Sequence, residues 1–284
     1  MKRFLITSMY AAVASSAFAV FGLLSTDHDE FADFVGTYGG GSGVAISPYH
    51  VLTAAHLVPG GQLRDFTVKG ETFNGVEALV HSSGDLALIT LDRPVSNYVP
   101  LYAGGVTGQE VMIVGMGSTG DARDDGTGYD PNSSRMFRVV SNMVAGEMEM
   151  SVGGRLTKLL VADLDATGTT TPEPYNRDML GDGGATAYEG GIDAGDSGGA
   201  WLVNTGEGWQ LAGISLASLT ANDAPTSMTN AHMRFGYGGS AAANVTSTGY
   251  GQWVAQAVPE PSLMVMAGLG LAALARRKKR ANLN

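Results

Sequence analysis

Three short segments hold residue types that together could perform nucleophilic catalysis. The first is Gly195-Asp196-Ser197-Gly198-Gly199-Ala200. A serine hydroxyl is a weak nucleophile at neutral pH and needs a base and a site that stabilises developing charge. Glycines on both sides let the backbone turn tightly and expose the serine. They also aim backbone N–H groups at one point, as a site for an oxyanion requires. The second segment is Leu52-Thr53-Ala54-Ala55-His56, an apolar strand that runs into two alanines and a histidine. The small residues allow close packing and leave the imidazole at the edge. The third is Asp85-Leu86-Ala87-Leu88-Ile89, a carboxylate heading an almost wholly apolar strand. Burying that carboxylate is costly unless it is paired. Pairing with a histidine Nδ1–H offsets the cost and holds the tautomer that leaves Nε2 free as a base. Each segment alone also reads as structure: a glycine-rich turn, a core-edge histidine, a turn aspartate after Ser83-Gly84. In the order His56, Asp85, Ser197 they supply the base, the orienting acid and the nucleophile of acyl transfer. Asp92 is the weaker alternative acid. His28, His50, His81 and His232 have no such setting and are expected to be structural or solvated.

These segments must be carried by strands. Between about residues 31 and 254, short apolar runs alternate with Gly, Asp, Asn and Ser. The runs are Val44–Ile46, Val51–Leu52, Phe66–Val68, Val76–Val80, Leu86–Leu91, Val111–Val114, Phe137–Val140, Leu159–Val161, Trp201–Val203 and Leu211–Ile214. Turn signals recur every 8–15 residues or so, roughly the spacing of an all-β sandwich or barrel. One short helix is expected near the end, over Tyr250–Ala257. The stretches Gly117–Ser134 and Asp163–Gly191 read as surface loops. Their aspartates (Asp121, Asp124, Asp125, Asp130, Asp163 and Asp165) are either solvated or candidate calcium ligands, although EF-hand spacing is absent. Gly115-Met116-Gly117-Ser118-Thr119-Gly120 has the spacing of a dinucleotide fingerprint, but a polar turn follows where that motif needs a helix to begin.

The set of three segments resembles the chymotrypsin/trypsin-like serine peptidases. Gly40–Ser47 is similar to that family's strand before the histidine, Val111–Gly117 to the strand opening its second barrel, and Leu211–Ile214 to the strand after the nucleophile. The resemblance implies an all-β fold of two six-stranded antiparallel β-barrels, here about 31–99 and 100–254 within a protease domain of 20–258, with a short C-terminal helix. It implies that Ser197 attacks a peptide carbonyl, that His56 transfers the proton, and that Asp85 orients the imidazole. It places the oxyanion hole at the N–H groups of Gly195 and Ser197. It also places substrate contacts at Gly191 and along Leu216, Ala217 and Ser218, and it calls for neither metal nor organic cofactor. Several features depart from the pattern. The His56–Asp85 spacing is short, Ala200 stands where a proline is usual, and Phe34-Val35-Gly36-Thr37 matches the activating N-terminus poorly, so Asp196 is expected to have another partner. Gly191 stands where trypsin-like enzymes have an aspartate, which points to a small or uncharged P1 residue. An α/β-hydrolase is disfavoured because there the nucleophile precedes the acid and the histidine.

The chain has 284 residues, 41 of them glycine, with 44% hydrophobic and 15% charged residues. That composition supports a sizeable core and argues against wholesale disorder. There is no cysteine, which excludes disulfides, thiolate metal sites and a thiol nucleophile. The net charge of −10 disfavours nucleic acid as a partner. Residues 1–19 have the layout of a secretory signal peptide: Lys2-Arg3, an apolar run, then Ala17-Phe18-Ala19 as cleavage site. An uncleaved membrane anchor is the alternative. Residues 259–284 place Pro259-Glu260-Pro261 before a 13-residue uncharged run, Leu263–Ala275, and five basic residues, Arg276–Arg280. As a helix that run spans about 20 Å, short of the roughly 30 Å hydrocarbon core. The order resembles the PEP-CTERM sorting signal, which implies an exosortase-type enzyme and the export machinery as partners. It also implies transient membrane association through the tail, and a periplasmic, cell-surface or extracellular body. An ordinary tail anchor is the alternative there. The expected function is a secreted or surface-sorted serine endopeptidase acting on proteins or peptides. The alternatives are a catalytically inactive surface or binding protein of the same fold, and an esterase using the same three residues.

Overall fold

The computed structural model describes residues 21–22, 25, 27–122, 129–165, 180, 184–192, 195–219 and 239–258. The expected signal peptide, the sorting tail, Asp124, Asp125 and His232 lie outside the described residues. A short strand β1 (Phe21–Gly22) and a 3-10 turn at Asp29–Asp33 come first. Six strands then follow: β2 (Val35–Tyr38), β3 (Gly41–Ser47), β4 (His50–Thr53), β5 (Asp65–Val68), β6 (Glu71–Val80) and β7 (Ala87–Leu91). They close into an antiparallel barrel in the order β2-β3-β4-β7-β6-β5. Closure is made where Thr37 and Tyr38 pair with Thr67 and Phe66. Gly36 permits it, because a Cβ there would run into the carbonyl of Thr67 and the ring of Phe66.

The second half contains β8 (Glu110–Gly115), β9 (Ser118–Ala122), β10 (Tyr129–Arg135), β11 (Arg138–Met143), β12 (Gly146–Val152), β13 (Arg155–Ala162), β14 (Gly190–Gly191), β15 (Ala200–Asn204), β16 (Trp209–Leu219) and β17 (Gly239–Asn244), and ends in helix α1 (Gly251–Ala257). Seven of these strands form one antiparallel sheet in the order β11-β8-β15-β16-β17-β13-β12. The all-β expectation holds: one half is a closed six-stranded barrel, and the other is this sheet, whose edge strands β11 and β12 do not pair with each other. A small sheet, β10-β9-β1-β14, joins the opening strand to the segment before the nucleophile. One loop expectation is corrected, and most of the other, Asp163–Gly191, lies outside the described residues. Gly117–Ser134 contributes the paired strands β9 and β10. At the two ends of the Asp163–Gly191 stretch, Asp163, Asp165 and Glu189 are buried. Ladder pairing satisfies the backbone of β9 and β10, and Asp163 and Glu189 accept hydrogen bonds in the interior.

Each half has its own core. Tyr38, Val51, Phe66, Phe73 and Ile89 fill the barrel, and Ile113, Val140, Leu160 and Trp201 pack beneath the sheet. A larger cluster spans both, bringing Phe31, Val44, Leu52 and Leu86 against Val114, Leu159, Leu202 and Ile214. Apolar burial on this scale, at roughly 25 cal/mol per Å², locks the two halves face to face. The segments carrying His56, Asp85 and Ser197 lie on that seam. Among the described residues no helix is long and apolar enough to cross a membrane.

Candidate active site

Strand β4 ends at the buried Thr53, and a single 3-10 turn, Ala55–Leu57, carries His56 out of the barrel. The imidazole is one-third exposed, whereas Asp85 is 1% exposed. Both carboxylate oxygens of Asp85 are used on His56. Oδ2 accepts from the ring Nδ1 at 2.6 Å, and Oδ1 accepts from the backbone N–H at 2.8 Å. An ionised carboxylate can only accept, so beside it a neutral imidazole has its proton on Nδ1 and its lone pair on Nε2. The backbone N–H of Asp85 donates to Thr157 Oγ1 at 3.0 Å. The glycine turn between β12 and β13 closes over the pair, with Gly153 against His56 and Asp85. The first half thus supplies the His–Asp pair and the second half shields it from water. Asp92, the other acid considered, lies on the barrel surface and is held by Asn74, whose side-chain and backbone N–H groups it accepts at 2.5 and 3.1 Å. Those hydrogen bonds keep its carboxyl below the usual carboxylate range.

Ser197 sits in the turn leading into β15, and Ser42 ties that turn to the barrel. The N–H of Ser42 donates to the Ser197 carbonyl at 2.7 Å, and its hydroxyl donates to the Gly195 carbonyl at 3.3 Å. Its own carbonyl accepts from Thr53 Oγ1 at 2.7 Å. One residue therefore connects the serine loop to the strand that delivers His56. Sequence reading saw only a strand in Gly40–Ser47, because a serine's partners across the seam leave no local pattern. Thr157 was missed for the same reason.

Gly195 and Gly198 adopt φ of +95° and +87°, the left-handed region that glycine enters without strain. At Gly198 there is also no space, since a Cβ would overlap the carbonyl of Ser42 and touch Thr53 Oγ1. Gly198→Ala is expected to lose on the order of 3 kcal/mol of stability through combined strain and clash. Gly206→Ala, at φ +81° in open space, should lose only the roughly 1–2 kcal/mol of the left-handed conformation. Urea midpoints of the two variants read this difference. Among the described residues, the N–H groups of Gly195 and Ser197 make no hydrogen bond. The Gly198 and Gly199 N–H groups are taken by Ser215 and Asp196 carbonyls, both at 2.7 Å. Asp196 is fully buried, and its carboxylate accepts from the Gly117 N–H at 3.2 Å.

The Ser197 hydroxyl donates to the carbonyl of Leu216 at 3.3 Å and makes no hydrogen bond to His56. Leu216 is the extra residue of a bulge, because the ladder between β16 and β17 slips between Ser215 and Ala217. Such bulges re-aim groups beside active sites. The side chain of Leu216 is in the core, so its carbonyl is what it presents to the site. Ala217 is half-buried and Ser218 exposed on the same strand. Gly191 is buried and pairs with Phe21 in the small sheet. Among the described residues no three His, Asp or Glu side chains gather as metal ligands. Asp163 Oδ2 instead accepts from the Leu180 N–H at 3.1 Å, and the Asp165 N–H donates to Glu189 Oε1 at 3.1 Å.

Two histidines outside this constellation are held below the ordinary histidine range. Burial lowers His50, against an opposing pull from Glu77; burial and then the Arg155 charge lower His81. A depressed histidine binds protons more readily unfolded than folded. Its stabilising contribution is therefore complete above the unfolded value of about 6.5 and is lost as pH falls toward the lowered native value. The melting temperature should drop as pH is lowered from 7 toward 5, and scanning calorimetry at several pH values reads the slope. His50→Gln should make that slope shallower.

The trypsin family profile matches residues 33–234, and the chain belongs to that family, which makes it in general terms a secreted serine protease. The PEP-CTERM protein-sorting motif matches residues 257–280, which implies export and sorting to the cell envelope or surface. No curated protein sequence matches the chain. Among solved structures, the active form of the Rv3671c protease from M. tuberculosis is 14% identical, with 89% of this chain and 96% of that one covered at a TM-score of 0.47. The HtrA-type protease AlgW, solved with a decapeptide, is 16% identical over 72% of this chain and 47% of its own, at a TM-score of 0.40.

Proposed function

We propose that this protein is a surface-sorted serine endopeptidase that cleaves protein or peptide substrates through an acyl-enzyme. The observation that carries the proposal is the buried Asp85 with both carboxylate oxygens on His56. A carboxylate so desolvated strengthens an imidazolium beside it, and that imidazolium forms when His56 takes a proton. In the proposed cycle, rotation about the Ser197 Cα–Cβ bond moves the hydroxyl from the Leu216 carbonyl to His56 Nε2. Oγ then attacks the scissile carbonyl as its proton passes to Nε2. The N–H groups of Gly195 and Ser197 receive the oxyanion. A single such donor typically contributes about 3–4 kcal/mol to the transition state. His56 returns the proton to the leaving amine, and water repeats the sequence on the ester. No cofactor takes part. Substrate backbone would lie along the edge at Ala217 and Ser218, with a small or uncharged P1 residue near Gly191. Residues 20–258 act as the protease domain in this proposal, and 259–284 as the segment presented to an exosortase-type enzyme. The alternative, a trypsin-fold surface protein without turnover, draws on the Ser197 hydroxyl being hydrogen-bonded to Leu216.

The full chain, incubated with a proteome-derived peptide library and read by mass spectrometry of new N-termini, tests the proposal. Cleavage with a shared P1 preference, missing in Ser197→Ala, supports it. Absence of new termini from a folded, envelope-sorted protein favours the non-catalytic alternative.

A further inference from the structure

His81 begins the turn that ends at Asp85, and its ring organises that turn from inside. Nδ1 accepts from the Ser83 N–H at 3.2 Å and the Gly84 N–H at 2.9 Å. The backbone N–H of His81 donates to the Leu86 carbonyl at 2.9 Å, closing the turn behind Asp85. From the second half, Arg155 Nη1 donates to the His81 carbonyl at 2.8 Å. Tyr250, just before α1, and Trp253, within it, stand edge-on to the imidazole at centroid distances of 4.7 and 5.0 Å. Gly84 lies against the Tyr250 ring so closely that a Cβ would collide with it.

We propose that His81 is a positioning residue for Asp85, its neutral ring fixing the turn that delivers the carboxylate to His56. This rests on Asp85 being the orienting acid of the site. An Nδ1 that accepts two N–H groups must be unprotonated, with the ring proton on Nε2. Protonation would set a third donor where two already converge, and the turn would loosen. Charged and titratable groups around the ring are Arg155 on β13, Asp85 on the turn and Tyr250 before α1. Lys158, through its backbone N–H, and Glu149 lie behind Tyr250. Arg155 opposes a charge on His81, and burial does so more strongly. The turn should therefore hold its geometry until acid below the ordinary histidine range protonates His81.

Two substitutions of the full chain test this. H81N keeps an acceptor one bond from Cγ, as Nδ1 is, but does not titrate. H81F keeps a ring for Tyr250 and Trp253 but offers no acceptor. The readout is the rate of Ser197 modification by a small fluorophosphonate from pH 5 to 8, together with the His56 Nδ1–H resonance by NMR. At pH 8, H81F should react about 10- to 100-fold more slowly, the scale expected when a reacting group is misplaced by an ångström, and H81N should recover most of the lost rate. As pH is lowered toward 5, the wild-type rate should fall more steeply than that of H81N. If H81F does not fold, the H81N profile decides. An H81F rate equal to wild type, or an H81N profile as steep as wild type, overturns the proposal. If the wild type does not react at all, the peptidase proposal fails. The resonance then still decides: its loss in H81F with retention in H81N supports positioning, and its retention in H81F refutes it.

Discussion

Ser197→Ala is expected to lower kcat by about a million-fold, the size of effect seen when the nucleophile of a serine-histidine unit is removed, while leaving the fold intact. The reasons for both halves of that statement are local. The substitution removes one hydroxyl whose hydrogen bond is to the Leu216 carbonyl at 3.3 Å, a bond near the long limit and of small net stability. The bonds that hold the turn are made by backbone. The Ser197 carbonyl accepts from Ser42, and the Gly198 N–H donates to Ser215, so they survive the change. Melting temperature and circular dichroism should be nearly those of the parent. Peptide cleavage should fall to the level supplied by binding and the oxyanion donors alone. A variant that retained turnover would move the nucleophile away from Ser197.

Asp85→Asn should lower kcat by about ten-thousand-fold at neutral pH, with KM little changed. Asp85 accepts two N–H groups from one histidine, and an amide can accept through only one of its two heavy atoms. If the amide oxygen keeps the backbone N–H of His56, the amide nitrogen faces the ring. It then donates to Nδ1, the ring proton moves to Nε2, and the base is lost. Steady-state kinetics on a peptide taken from the library cleavage would show the change in kcat. A drop confined to KM would mean that Asp85 shapes the substrate site instead of the base.

The three candidate segments were legible because each has a short-range pattern. A serine among glycines, a histidine after a strand and two alanines, and an acid at the head of an apolar run are all short-range patterns. The ten apolar runs all fall within observed strands or at their margins, since β-branched and aromatic residues fit a half-buried pleat. Strand β17, Gly-Ser-Ala-Ala-Ala-Asn, was not legible. Alanine has little β preference, and small residues are used there because β17 is completely buried between β13 and β16. Strand β12 was missed because its alternating Glu and Met residues carry too weak an apolar face. The long-range partners were beyond reach as well. Thr157 meets Asp85 across 72 positions, and Ser42 meets Gly195 across 153. His81, expected to be structural or solvated, stands four positions before Asp85, and its ring partners Tyr250 and Trp253 lie far along the chain.

Intact mass spectrometry of the full chain after exposure to a fluorophosphonate tests the central claim most directly. The reagent bonds only to a serine whose hydroxyl is activated by a neighbouring base and whose adduct oxygen finds stabilising donors. The account predicts one adduct per chain on the wild type, mapped to Ser197, and none on Ser197→Ala or His56→Ala. A folded wild-type protein that gains no adduct, or gains one that persists in Ser197→Ala, would contradict it.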